Sequence, residues 1–211
     1  HSIRNIAEFC RKRNIYLVVD AIQATGVCPV DVQAMGIDYL STGNQKWLMS
    51  PAGLGFTYIS KKYRELISPS YAGTMNMNFN FDNFLDYKLE FKTSGEAYEN
   101  STLNTFGMIG TDEVLKYFME LGVENIFNHI IDIQDKLISL LDKNKYKVES
   151  DLSPEHRSNI MIFSHIDNNR NKEVQKFLEE KKIYIAVREG FLRVSPHIYN
   201  NYEDAAALAE A

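Results

Sequence analysis

At 211 residues, 45% hydrophobic and 24% charged, the chain has an ordinary globular composition and is long enough for one large domain or two modest ones. A net charge of −5 and a pI near 5.6, with Lys and Arg scattered, leave no basic stripe and exclude phosphate-backbone binding as a reading. No apolar run approaches the ~20 residues of a membrane helix and His1-Ser2-Ile3-Arg4 lacks a signal-peptide layout, so a cytoplasmic protein with no nucleic-acid or membrane partner is expected.

Ile3, Ile6, Ala7 and Cys10 recur at i, i+3, i+4 and i+7, and Arg11, Lys12 and Arg13 follow where cations suit the helix dipole. This predicts an amphipathic helix over residues 3–13. Ile15-Tyr16-Leu17-Val18-Val19 is a continuous apolar run ending at Asp20, the pattern of a strand covered on both faces of a parallel sheet. Further short strands are expected over 37–41, after the turn at Gly36, and over 55–60. The order belongs to an α/β layer, in which ligands collect beyond the carboxyl ends of the strands.

Residues 71–104, rich in Asn, Asp, Phe and Tyr without a sustained period, read as a long ordered excursion over the surface. The Phe and Tyr between 79 and 98 read as interface and core. Helical spacing returns at Val114, stops at Gly122 and resumes through Leu141, so Gly122 marks a domain joint. Residues 1–122 form the part of a large domain; residues 123–211 form a small one. Within the latter the expected order is strand 146–149, strand 159–164, helix 172–181, strand 183–187, strand 191–195 and a helix from 203, an α+β domain with a mostly antiparallel sheet. The chain opens inside a helix without a methionine and ends in the helix-favouring run 205–211, which predicts a piece of a longer protein. Cys10 and Cys28 have neither disulfide nor metal spacing and read as small buried hydrophobes. No His pair has metal spacing, and no metal is expected.

One constellation carries chemistry. Asp20 ends a strand, Gln23 follows about a turn later, and Lys46 lies in the Gly/Pro-rich stretch Gly43-Asn44-Gln45-Lys46-Trp47-Leu48, followed by Pro51-Ala52-Gly53-Leu54-Gly55. Taken alone, Lys46 reads as a solvated surface charge and Asp20 as a helix cap. Together they suit pyridoxal phosphate. A lysine amine forms a Schiff base with its aldehyde, a carboxylate keeps its pyridine nitrogen protonated, and an amide can donate to its phenolate oxygen. Trp47 reads as packing behind Lys46, and His197 as structural.

These residues resemble the class V aminotransferases, fold type I pyridoxal-phosphate enzymes that include cysteine desulfurases, selenocysteine lyases and kynureninase. Val19 to Gln23 resembles the family's cofactor-ring strand, Gln45-Lys46-Trp47 with 51–55 its Schiff-base loop, Tyr98 to Asn104 its Glu-x-Gly-Thr-x-Asn segment, and Arg193-Val194-Ser195 its closing Arg-x-Ser motif. The resemblance implies the C-terminal part of a fold type I large domain plus a small α+β domain. It implies cofactor contacts from Asp20, Gln23, Gln45, Lys46 and Thr102, with Lys46 also the catalytic base. It implies Arg193 as a bidentate partner for the carboxylate of a small amino-acid substrate, and Thr102 as reaching the phosphate of a neighbouring subunit, hence a homodimer with a shared active site.

The chain also departs from the family pattern. Gln45 and Gly43 stand where His and Ser often serve the phosphate, and Asn100-Ser101 replaces x-Gly. The stretch Ala186 to Arg193 has no cysteine, whereas the desulfurase branch carries a nucleophilic one just before Arg-x-Ser. Amino transfer is therefore the expected reaction, with a desulfurase or selenocysteine lyase as the rival enzyme and an inactive dimerising scaffold as the rival of another class.

Overall fold

The computed structural model describes residues 2–78, 80, 82–83, 85–86 and 88–211. Cα packing divides it into two units. One holds Ile6–Ile22 and Val32–Leu115; the other holds His1–Asn5, Gln23–Asp31 and Lys116–Ala211.

The first unit is built on β1 (Val18–Asp20), β2 (Tyr39–Gly43) and β3 (Gly55–Ile59) in that order. β1 and β2 are parallel; β3 returns antiparallel to β2, pairing Gly43 with Gly55. That close pairing needs glycine at position 55, where a Cβ would sit 2.2 Å from the Thr42 carbonyl oxygen. β1 begins at residue 18 rather than 15 because the Asp38 carboxylate takes the Leu17 N–H at 2.9 Å, a donor that would otherwise extend the ladder. The expectation of cover on both faces fails within the described residues. One face is open, with Val18 58% exposed and Asp20 exposed, while Val19 on the other face is half-buried. Continuous apolarity is a statement about the chain's needs, not about which neighbours this segment carries.

Helix α1 (Ile3–Arg11) buries Ala7. Phe9, of the same helix, stays exposed beneath the Arg13 guanidinium, 3.7 Å from its ring centroid. A short α2 (Lys61–Arg64), capped by the Ser60 hydroxyl, follows β3. The excursion is pinned by Asn76, 1% exposed, whose side chain accepts from the Gly73 N–H and donates to the carbonyls of Tyr71 and Ala97. The bridge between Met77 and Phe91, with Asn78 N–H to Glu90 and Lys92 N–H to Asn76, makes it a two-limbed loop. Of its aromatic residues, Phe79, Phe81, Phe84 and Tyr87 lie outside the described residues; Phe91 and Tyr98 are half-buried.

Helix α3 (Thr105–Leu121) starts well before Val114. Asn104 sets its start, accepting the Gly107 N–H on Oδ1 at 3.0 Å and the Met108 N–H on its carbonyl at 2.9 Å. Gly122, at φ +80°, separates α3 from α4 (Val123–Leu140).

In the second unit the sheet runs β4 (Tyr146–Val148), β5 (Met161–His165), β7 (Phe191–Val194), β6 (Ala186–Arg188), antiparallel throughout. The expected element order holds, and β6 starts late because the chain first closes α5 (Asn171–Glu180). There Ile183 N–H returns to the Leu178 carbonyl and Lys182 turns at φ +61°. Ile133 and Leu137 of α4, Met161, Phe163, Leu192 and Val194 of the sheet, and Ala205 of α6 (Tyr202–Glu210) form one core. Each of its large side chains contributes about 1.5–3 kcal/mol by leaving water. Asn201 and Asp204 close a capping box at the start of α6.

Candidate active site

Asp20 is the last residue of β1 and lies opposite Ser41 of β2. The two strands are parallel, so their carboxyl ends share one edge of the sheet, and the segments after Asp20 and after Gly43 emerge there. They meet at Gly43. A Cβ on this glycine would lie 3.1 Å from Cδ1 of Ile22 and 2.7 Å from Oε1 of Gln45. Ile22 follows Asp20 by two residues and Gln45 precedes Lys46, so the fold brings together the carboxylate turn and the lysine loop.

Asp20 is exposed, and its Oδ1 accepts the Ile22 N–H at 3.0 Å, turning the chain out of the strand. Lys46 lies in the connection between antiparallel β2 and β3, which closes on itself. Asn44 N–H donates to the Leu54 carbonyl at 3.0 Å, Ser50 N–H to that of Asn44 at 3.1 Å, and Met49 N–H to that of Lys46 at 3.0 Å. Met49 (φ +51°) and Gly53 (φ +88°) make the reversals. Trp47 and Leu48 are buried, which leaves Gln45 and Lys46 exposed beside them.

Below the loop lies α3. Asn44, 1% exposed, donates from Nδ2 to Thr111 Oγ1 at 3.3 Å, while the Ser50 and Thr111 hydroxyls bond at 2.5 Å. Gly110 admits the Pro51 ring, since a Cβ there would lie 2.9 Å from its Cδ and Cγ. Gly53 faces the Asn104 side chain. Thr102 is exposed, two residues before that asparagine.

Gln23 and Arg193 belong to the other unit. The Gln23 carbonyl accepts from Asn159 Nδ2 at 2.9 Å, and Asn159 Oδ1 accepts the Cys28 thiol at 3.3 Å. Cys28 is half-buried; burial pushes its thiol pKa up, with hydrogen bonding from Asn159 a partial offset. Arg193 sits in β7, opposite Ile162 and Ala186, and its Nε is buried without a hydrogen-bond partner among the described residues. His197 is 5% exposed, its ring stacked 4.9 Å from Tyr199, with Nδ1 accepting the Ile198 N–H. Among the described residues no His, Cys, Asp or Glu cluster could hold a metal, and no helix is long and apolar enough to cross a membrane.

The sequence pattern of the aminotransferase class-V family matches residues 1–208. The chain belongs to the aminotransferase class-V family. It is 27% identical to the uncharacterized aminotransferase YcbU of Bacillus subtilis, over 96% of this chain and 52% of that protein. It is 26% identical to a probable cysteine desulfurase of Borreliella burgdorferi, over 97% and 51%. The solved apo cysteine desulfurase of Thermococcus onnurineus superposes with a TM-score of 0.86 at 20% identity, over 100% of this chain and 55% of that one, and so shares its fold. The class-V chain thus spans about half the length of the relatives it matches.

Reading the sequence did not single out Thr111 or Asn159. The signal for the first was present: Gly107, Gly110, Thr111, Val114 and Phe118 form a stripe of 3–4 spacing, small at its start, marking a helix face that another segment approaches closely. Nothing local distinguishes Asn159.

Proposed function

We propose that the protein to which this chain belongs is a pyridoxal-phosphate enzyme that acts at the α-carbon of an amino acid, with amino transfer as its reaction. The observation that carries the reading is the convergence of the Asp20 turn and the Gln45-Lys46 loop over Gly43, at the carboxyl ends of two parallel strands.

The residues fit that cofactor. Asp20 keeps its second oxygen without a partner among the described residues, and Lys46 makes no ion pair there. Asp20 would accept a hydrogen bond from the protonated pyridine nitrogen, Gln23 would offer its amide to the ring phenolate, and Gln45 would offer its amide to the phosphate in place of an imidazole. Lys46 would be the amine that holds the cofactor aldehyde and the base that moves the proton at the substrate α-carbon. Bound there, the cofactor supplies the electron sink for that carbon. Arg193, whose Nε lacks a partner among the described residues, would take the substrate carboxylate. Thr102 would serve the phosphate of a second copy, in which case the working enzyme would be a homodimer with shared sites. Gly122 is the joint between the large-domain residues 1–122 and the small domain 123–211.

A second enzyme reading, a cysteine desulfurase or selenocysteine lyase, is supported by the Borreliella relative and the Thermococcus fold. The run from Ala186 to Arg193 turns tightly at Glu189-Gly190 and holds no cysteine, which weighs against the desulfurase. The full-length protein is expected to be yellow, and Lys46→Ala to lose the visible band. Amine transfer requires a keto-acid acceptor; sulfide or selenide release without one would select the lyase. A colourless full-length protein that ignores added cofactor would select the scaffold and overturn the proposal.

A further inference from the structure

We propose that Thr111 is a positioning residue for Lys46, holding both feet of the lysine loop against α3 through one hydroxyl. The inference rests on the role of Lys46 proposed above. Its basis is the arrangement below the loop. Asn44 stands two residues before Lys46 and Ser50 four after it, and the backbone closes the loop between them. Their side chains converge on Thr111 Oγ1, from Nδ2 of Asn44 and Oγ of Ser50. All three are buried, at 1%, 6% and 7% exposure for Asn44, Ser50 and Thr111. Asn44 Oδ1 is buried with no partner among the described residues, so Thr111 carries the polar tie of that side chain.

Buried polar groups are held in place because the alternative is an unpaired donor or acceptor in a dry site. A hydroxyl is suited to this position because it can accept from the amide while also hydrogen-bonding the serine hydroxyl, as donor or as acceptor. The rest of the helix face is shaped to match: Gly110 lets the Pro51 ring lie directly on α3, and Gly107 accommodates the Asn104 side chain at the helix start. The lysine, exposed at the top of the loop, is therefore fixed from below by a residue that touches neither cofactor nor substrate. A lysine that must both capture an aldehyde and carry a proton needs such restraint, since small displacements of a reacting group cost rate steeply.

The test compares full-length wild type with Thr111→Val, Thr111→Ser and Ser50→Ala. In cofactor-free protein, hydrogen exchange is read at the Asn44, Met49 and Ser50 amides. With pyridoxal phosphate added, the rate of its capture by Lys46 is read by borohydride trapping, and kcat is separated from KM where turnover is measured. Thr111→Val is expected to speed exchange at the three amides about tenfold or more and to slow capture by a similar factor, lowering kcat more than it raises KM. Thr111→Ser is expected to restore both, and Ser50→Ala, which severs one foot, to fall between. Unchanged amide exchange in both Thr111→Val and Ser50→Ala overturns the clamp. Faster exchange with wild-type capture reduces Thr111 to a packing role and equally overturns the proposal. Should wild type itself fail to trap cofactor at Lys46, the enzyme reading fails and this role of Thr111 with it, while the amide exchange still reports whether the loop is clamped.

Discussion

Asn159 ties residue 23 to the segment leading into β5 of the same unit, and its removal has a calculable consequence. Its side chain is 3% exposed and makes two bonds, a donated one to the Gln23 carbonyl at 2.9 Å and an accepted one from the Cys28 thiol at 3.3 Å. Asn159→Ala deletes both. A buried carbonyl stripped of its donor costs about 1–3 kcal/mol, and the half-buried setting of Gln23 places this one toward the lower end, at about 1–2 kcal/mol. The thiol is a weak donor and adds little. With a urea slope near about 2 kcal/mol/M, the unfolding midpoint falls by about 0.5–1 M. Circular dichroism of the full-length protein measures this, and labelling of Cys28 in a Cys10→Ser background measures the local release. The thiol is expected to label faster in the variant, because the segment carrying it opens more readily. A midpoint within about 0.1 M of wild type, together with unaltered thiol labelling, would refute the claim that Asn159 holds this segment.

Four further outcomes follow from the structure. Gly73→Ala places a Cβ 1.8 Å from the Asn100 carbonyl oxygen, which is backbone and cannot swing aside, so limbs 71–78 and 90–100 must part and limited proteolysis there should accelerate markedly. Leu192→Ala empties a fully buried position in the core formed by α4, the four-stranded sheet and α6, with an expected loss of about 2–5 kcal/mol in denaturant unfolding. Acid titration should show a contribution from Asp151, whose carboxyl is lowered from 3.8 to about 2 by the Ser153 N–H, then the Ser153 hydroxyl and His156. Since its folded pKa is depressed, the stabilisation is present above pH 3.8 and disappears as pH falls through about 2, a slope that Asp151→Asn should remove. Cys28 has the opposite sign: its raised pKa favours the fold below pH 9.0, and that advantage is lost as pH climbs through the folded value.

Local pattern was enough for much of this protein. Spacing of apolar residues marks α1, α4, α5 and α6, the turn residue Gly122 separates two helices, and short β-rich runs order the four-stranded sheet, because these features depend on neighbours within a turn or two. Asp20 and Lys46 stood out for the same reason, as chemistry-bearing residues at the ends of recognisable segments. Three things were decided by tertiary structure. Whether β1 is covered, and that β3 turns back so Lys46 rides a loop between antiparallel strands, depend on which strands pair. The start of α3 nine residues before Val114 depends on Asn104 capping a glycine-bearing turn whose own propensity is poor. The ties at Thr111 and Asn159 span 61 to 136 positions along the chain, and a polar side chain declares itself structural only when folding removes the water it would otherwise bind.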